Sequence, residues 1–266
     1  MKKHKKLIVG IILLIVAALA LTGGYYVYSH RHKTVVVRTT SATTTQPEAP
    51  APTTTTPPPT PVFDKKQYSI DDSASLWVVV NKQRPLRAGY IPANLVAPAT
   101  SLRLGSGAEE MKLRQDAAAA LAEMLTAAKA VGMPMLLASG YRSEVTQRAL
   151  HAGYVAQKGD AAADLDSARA GYSEHQTGLA ADVGRTDHKC EVDPCFANTA
   201  EGQWVAANAY KYGFIVRYLQ GKQPITGYVY EPWHLRYVGK DLAKAVYDSG
   251  QTLEEFFGLP AAPGYN

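Results

Sequence analysis

Cysteine is scarce, at two residues in a chain of 266. That excludes a disulfide-built scaffold and a four-cysteine zinc site. Charge is also sparse: 28 basic and 23 acidic side chains make up 19% of the residues. The net +5 is too small and too evenly spread to argue for nucleic acid. No internal repeat is visible, so nothing points to a solenoid or a propeller. What is plentiful is apolar sequence, 46% of the chain, enough for a real core and too much for wholesale disorder.

The chain is strongly segmented. Residues 1–6 (MKKHKK) are basic, and an uncharged, largely apolar run follows over 7–28. At 1.5 Å per residue that run spans roughly 30 Å, the thickness of a bilayer core. The lysines orient 1–6 to the cytoplasm, and Tyr25, Tyr26 and Tyr28 suit the outer interface. A cleaved signal peptide is the competing reading, with Ala18-Leu19-Ala20 as a small-residue site. The anchor is preferred because the apolar stretch continues beyond that site. Either way the remainder is expected outside the membrane. Residues 29–62 form a stalk, almost entirely Thr, Pro and Ala from 39 onward. Such sequence cannot bury a core, and its extended form reaches ~70 Å.

Residues 63–266 carry the fold. The run at 76–80 reads as a strand. Ser106 and Glu109 have capping-box spacing, ahead of Leu113, Ala117, Leu121, Met124 and Ala128 at helical intervals. A buried strand is expected at 134–139, helices at 143–158 and 199–212, strands at 214–218 and 227–238, and a helix at 241–249. Helices come early and strands late, without regular alternation. That pattern indicates an α+β fold rather than a doubly wound sheet.

Three of the seven histidines lie in the anchor and stalk. Of the others, two sit in unusual surroundings: Ser173-Glu-His175-Gln-Thr-Gly-Leu-Ala-Ala-Asp182 and Glu231-Pro-Trp-His234-Leu-Arg236. A catalytic zinc takes three protein ligands and leaves a fourth position for water. His175, Asp182 and His234 supply that set, and Glu231 supplies a base that is not itself a ligand. Pro232 excludes helix here, so Glu231 and His234 lie on extended chain, where positions three apart face opposite sides. For both to face one metal, the strand must bulge near Pro232 and Trp233. Taken singly, each of these residues has an ordinary structural explanation: a surface histidine, a capping aspartate, half of an ion pair. His188 is a rival third ligand, and His151 is expected on a solvent-facing helix surface.

Together with SGYRS at 139–143, the motifs SEHQTGLAADV at 173–183 and GYVYEPWHLRYVG at 227–239 resemble those of the LAS metallopeptidases. The similarity is greatest to the VanY-like D-alanyl-D-alanine carboxypeptidases and extends over about 63–258. The resemblance implies a small antiparallel sheet flanked by helices in a single domain. It implies Zn2+ on His175, Asp182 and His234, with Glu231 as general base. It places Arg142 on the substrate's terminal carboxylate, a role suited to a guanidinium fork. The alternative for Arg142 is a structural ion pair. Gln147 and Ser173 match further substrate-binding positions. Tyr141 and Trp233 would wall the pocket or fill the core, and Arg236 would steady the oxyanion or brace Glu231.

Cys190 and Cys195 are expected as a disulfide closing a small loop, since the domain is exported. The implied substrate is the peptidoglycan stem peptide, losing its C-terminal D-alanine. No obligate protein partner and no nucleic acid are implied. Removal of D-alanine from tetrapeptide stems (an L,D-carboxypeptidase) remains open because such relatives share these motifs. An endopeptidase is disfavoured by Arg142, and a non-catalytic wall-binding module by the intact Glu231.

Overall fold

The structure, a computed structural model, describes residues 63–265; the basic segment, anchor and stalk expected at 1–62 lie outside the described residues. The first described stretch corrects an expectation. Residues 76–80 are largely buried but belong to no strand. Their carbonyls are taken by arginines instead. Arg236 Nη2 donates to Leu76 O and Val78 O (3.1 and 2.8 Å), Arg84 Nε to Val79 O (3.1 Å) and Arg217 Nη2 to Val80 O (3.4 Å). Buried carbonyls need donors, and side chains from distant elements meet that need as well as a ladder would.

Strand β1 (Leu95–Val96) pairs with β2 (Leu113–Arg114), and α1 (Gln115–Ala130) follows directly. The capping box expected at Ser106 and Glu109 does not form. Glu109 opens a single 3-10 turn, and its carboxylate accepts the backbone N–H of Ser143 at 2.8 Å. Leu113 lies in β2, while Ala117, Leu121, Met124 and Ala128 do form the buried face of α1. After β3 (Met135–Ser139), Ser143 caps α2 (Glu144–Lys158) by accepting from Thr146 N. Helix α3 (Asp160–Asp166), not anticipated, is joined to α2 through Gly159. Next come a 3-10 turn at Glu174–Thr177, β4 (Ala180–Arg185), and a 3-10 turn at Pro194–Asn198. The helix expected at 199–212 is α4 (Ala200–Asn208) tightening into a 3-10 turn, Ala209–Tyr212. Then follow β5 (Phe214–Tyr218), α5 (Gln223–Thr226), β6 (Glu231–Tyr237), α6 (Lys240–Ser249) and α7 (Leu253–Phe257).

The main sheet is antiparallel, in the order β3–β4–β6–β5. Side chains alternate across it. Leu137, Ala181, Val183, Leu235 and Phe214 point into a core completed by Leu121 and Met124 of α1 and Val205 of α4. Ile215 points the other way, into a second cluster with Trp77, Val238, Leu242 and Phe256. The mixed helix and sheet class is as expected, but strands and helices are interspersed along the chain rather than helices early and strands late.

Two registers shift. Between Leu137 and Ser139 the pairing with β4 slips, bringing Ser139 opposite Asp182. Between β5 and β6, Val216 faces Leu235 but Tyr218 faces Glu231, so Pro232, Trp233 and His234 together oppose Arg217. This is the bulge that Pro232 foretold.

A buried charge network ties the layers together. Arg217 binds Glu254 (2.6 and 2.9 Å) and Glu174 (2.8 Å), Arg236 binds Glu174 (2.9 Å), and Asn81 binds Glu254 (3.0 Å). Burial would raise the Glu254 carboxyl, but Arg217 and Asn81 outweigh it and hold it below its ordinary value. A carboxyl depressed on folding stabilises the fold above its unfolded pKa, and this is lost as pH falls through its folded value. Removing one partner of such a pair strands the other charge. Arg217→Met is therefore expected to cost about 3–5 kcal/mol in urea unfolding at neutral pH. The difference from wild type should shrink as the pH is lowered below the ordinary carboxylate range; an unchanged stability at pH 7 would show the network to be dispensable.

Candidate active site

Asp182 and His234 are directly opposed across β4 and β6, so their side chains rise from the same face as neighbours. His175 comes from the 3-10 turn before β4. That turn ends at Gly178, whose φ of 69° is left-handed and where an added Cβ would lie 3.0 Å from Leu95 and 3.2 Å from the Arg114 backbone. The Arg142 N–H donates to His175 O (3.2 Å), fastening the turn to the segment after β3. His175 Nε2 lies 3.4 Å from Asp182 Oδ2, and His234 Nδ1 lies 3.1 Å from Asp182 Oδ1. One ligand atom from each of the three residues falls within 4.8 Å of the others.

Partners behind the imidazoles select these nitrogens. His175 Nδ1 is 2.6 Å from Gly140 O, which only accepts, so Nδ1 carries hydrogen and Nε2 is left to face the site. Gly140 is required here because a Cβ would fall 2.5 Å from Lys112 O. His234 Nε2 faces the Glu174 carboxylate at 3.3 Å, which directs Nδ1 toward Asp182 and Glu231. Burial would raise Glu174, yet Arg217, Arg236 and His234 hold it well below the usual carboxylate range.

The site favours positive charge. Burial would lower His234, but the adjacent Asp182 and Glu174 carboxylates prevail and push it up to about 10. Asp182 Oδ1 is buried without a hydrogen-bond donor of proper geometry. A metal ion fits both observations, replacing the proton and satisfying the carboxylate oxygen. Two imidazoles and one carboxylate form a donor set suited to zinc. Glu231 Oε2 stands 3.7 Å from His234 Nδ1, outside that triad. Burial pushes its carboxyl up to about 8, against the pull of His234, into the range of a base working near neutrality.

Residues 110–240 match the family described as VanY: D-alanyl-D-alanine carboxypeptidase. The YodJ protein of Bacillus subtilis (strain 168) is 43% identical over 189 residues, covering 71% of this chain and 69% of that protein. The chain belongs to the VanY family. Among solved structures, the LdcB LD-carboxypeptidase superposes with a TM-score of 0.67 at 44% identity, covering 70% of this chain and 87% of that one. A vancomycin-resistance D,D-pentapeptidase VanY in complex with Zn(II) superposes with a TM-score of 0.55 at 33% identity, covering 70% and 99%.

In this VanY-family chain His175, Asp182, Glu231 and His234 line one cleft of about 350 Å³ with Arg142, Gln147, Ser173 and Trp233. Arg142 is braced from both sides: Nη1 donates to Gln147 Oε1 and Nη2 to Ser139 Oγ, each at 2.9 Å. Among the described residues it has no carboxylate partner within 4.0 Å, unlike a structural ion pair. Gln147, expected at substrate, spends its amide on Ala168 O and Ser167 Oγ (2.7 and 3.2 Å) and its oxygen on Arg142, so it positions that arginine.

Further expectations are corrected. Arg236 meets neither an oxyanion nor Glu231; it is fully buried on Glu174 and the 76–80 carbonyls. Tyr141 is buried and absent from the cleft lining, with its N–H on Lys112 O. His188 lies apart from the metal group and pairs with Glu191 at 3.0 Å. His151 faces α3 rather than solvent, 3.4 Å from Asp164. Cys190 and Cys195 are bonded as expected.

Glu174 and Tyr218 escaped the sequence reading. Tyr218 lines the cleft with its ring 4.9 Å from that of His234. Nothing in its local sequence marks it. Glu174 stood inside the quoted motif, but a charged residue flanking a ligand carries no sign of which way it points.

Replacing His175 or His234 by Ala is expected to abolish zinc binding. Glu174→Gln should weaken it ~10–100-fold in a chelator competition, through loss of the partner that orients His234. Wild-type zinc affinity in Glu174→Gln would show that His234 needs no such support.

Proposed function

We propose that this chain is a zinc carboxypeptidase that releases the C-terminal D-alanine from peptidoglycan stem peptides, with the D-Ala-D-Ala end of the pentapeptide as its substrate. One observation carries the reading above the rest. A metal-holding triad, a base that is not a ligand, and an arginine free of carboxylates share one cleft. His175, Asp182 and His234 would hold zinc, which would supply Lewis-acid polarisation of the scissile carbonyl and acidify the attacking water. The chain's own groups do the rest. Glu231 accepts the proton of that water and returns it to the departing amine, so proton and leaving group balance within one turnover. Arg142, held flat by Ser139 and Gln147, offers its guanidinium to the free carboxylate and so selects the last peptide bond. Trp233 and Tyr218 wall the cleft.

Tetrapeptide stems are the second reading. It is supported by the greater likeness to the LdcB LD-carboxypeptidase, 44% identity against 33% for the D,D-pentapeptidase. The same proposal places the domain outside the cytoplasmic membrane, held by 7–28 and carried on the stalk at 29–62. Support comes from the lysines flanking that apolar run and from the Cys190–Cys195 bond, of a kind that persists in oxidising compartments.

Pentapeptide and tetrapeptide muropeptides incubated with the full chain should lose a single alanine by mass spectrometry, and a chelator should stop it. The stem that is trimmed names the bond; loss of neither would refute a carboxypeptidase. Glu231→Gln is expected to lower kcat by ~10²–10⁴ with zinc retained. Arg142→Ala should raise KM and lower kcat, also with zinc retained, and full activity in that variant would sink the carboxylate assignment.

A further inference from the structure

Left-handed backbone is costly for any residue with a Cβ, and most of all for a β-branched one. Among the described residues, four that are not glycine have positive φ, and three of them fall close together: His188 (58°), Cys190 (56°) and Val192 (52°). The fourth, Asn94, is of a type that tolerates the conformation. The three occupy the connection between β4 and the turn at Pro194–Asn198. Such backbone persists only where its surroundings over-determine it, and it gathers at ligand-binding sites.

The surroundings that impose it are identifiable. Cys190 and Cys195 are bonded across the loop. Asp193 Oδ1 accepts the Cys195 N–H at 2.8 Å, and Pro194 opens the following turn with its own fixed φ. The Glu191 carboxylate lies 3.0 Å from His188 Nδ1 and 3.8 Å from Arg103 Nε. Between these anchors Val192 is 46% exposed, yet it and Pro194 line the active-site cleft. An exposed valine in strained backbone gains little from packing within the chain. Its apolar surface is turned toward whatever enters the cleft.

We propose that the bridged loop is a pre-ordered apolar lip, in which Val192 and Pro194 contact the aliphatic part of the bound stem peptide and set its affinity. The identity of that ligand rests on the function proposed above. The bridge holds the lip in its binding shape, so less conformational freedom is lost when substrate arrives. Val192 in this sense sets substrate affinity and takes no part in the proton transfer.

Val192→Asn separates this role from a structural one, because asparagine accepts left-handed backbone while removing the apolar contact. The variant should melt about 2–4 °C higher than wild type through relief of strain. Its zinc content should be unchanged. Its KM for the trimmed stem should rise about tenfold with kcat nearly constant, the size expected for losing part of one aliphatic contact. The double variant Cys190→Ser, Cys195→Ser should raise KM in the same direction, again with zinc retained. Calorimetric titration of stem peptides into the zinc-loaded full chain bearing Glu231→Gln, with and without Val192→Asn, reads affinity apart from turnover. An unchanged dissociation constant on adding Val192→Asn overturns the lip, whatever happens to the melting temperature. A wild-type chain that trims no stem refutes the proposed function, and the titration then decides the lip alone; binding of no stem peptide overturns both.

Discussion

Everything in this domain leans on one buried carboxylate. Glu174 accepts from Arg217 and Arg236 through one oxygen and faces His234 with the other. Through Arg236 it reaches the irregular segment at 76–78, and through Arg217 it reaches Glu254 on α7. The first and last parts of the domain are thereby tied to the imidazole that completes the metal triad. A charge buried this deeply is tolerable only with every partner in place. The geometry of the site and the closure of the fold are therefore the same physical problem.

The second constraint is register. Directly opposed positions on antiparallel strands share a face, which is how Asp182 and His234 meet. Glu231 would fall on the wrong face of a regular strand. The extra residues at Pro232–His234 return it to the cleft, and the slip at Ser139 on the opposite edge places a hydroxyl under Arg142. Both shifts flank the triad. Irregular pairing is the means by which a four-stranded sheet gathers the His–Asp–His triad, Glu231 and Arg142 on one side while its other face stays apolar.

The cleft is also asymmetric in how it is held. The arginine and the imidazoles are fixed by hydrogen bonds from buried neighbours, whereas the loop at 188–195 is closed by a covalent bond and holds three left-handed residues. The bridge closes a small loop, and residues of that loop line the cleft.

The metal-capable triad, the α+β class and the bulge were legible in sequence because each depends on local rules. Residue types with matching chemistry sit in short motifs, and a proline on extended chain announces irregular pairing. The apolar face of α1 and the start of α2 near Ser143 were legible for the same reason, though not the cap that Ser143 forms. The strand expected at 76–80 failed because apolar composition cannot say whether its carbonyls meet a neighbouring strand or distant guanidinium groups. Glu109 has the spacing of a helix cap but serves the turn after Arg142, and Arg236, two residues beyond a ligand, turns away from the chemistry. Glu174 and Tyr218 remained hidden for a related reason. The sequence by itself determined which groups could hold a metal and move a proton; only the tertiary structure decided which buried partners orient them, because a side chain's direction depends on partners supplied by other parts of the chain.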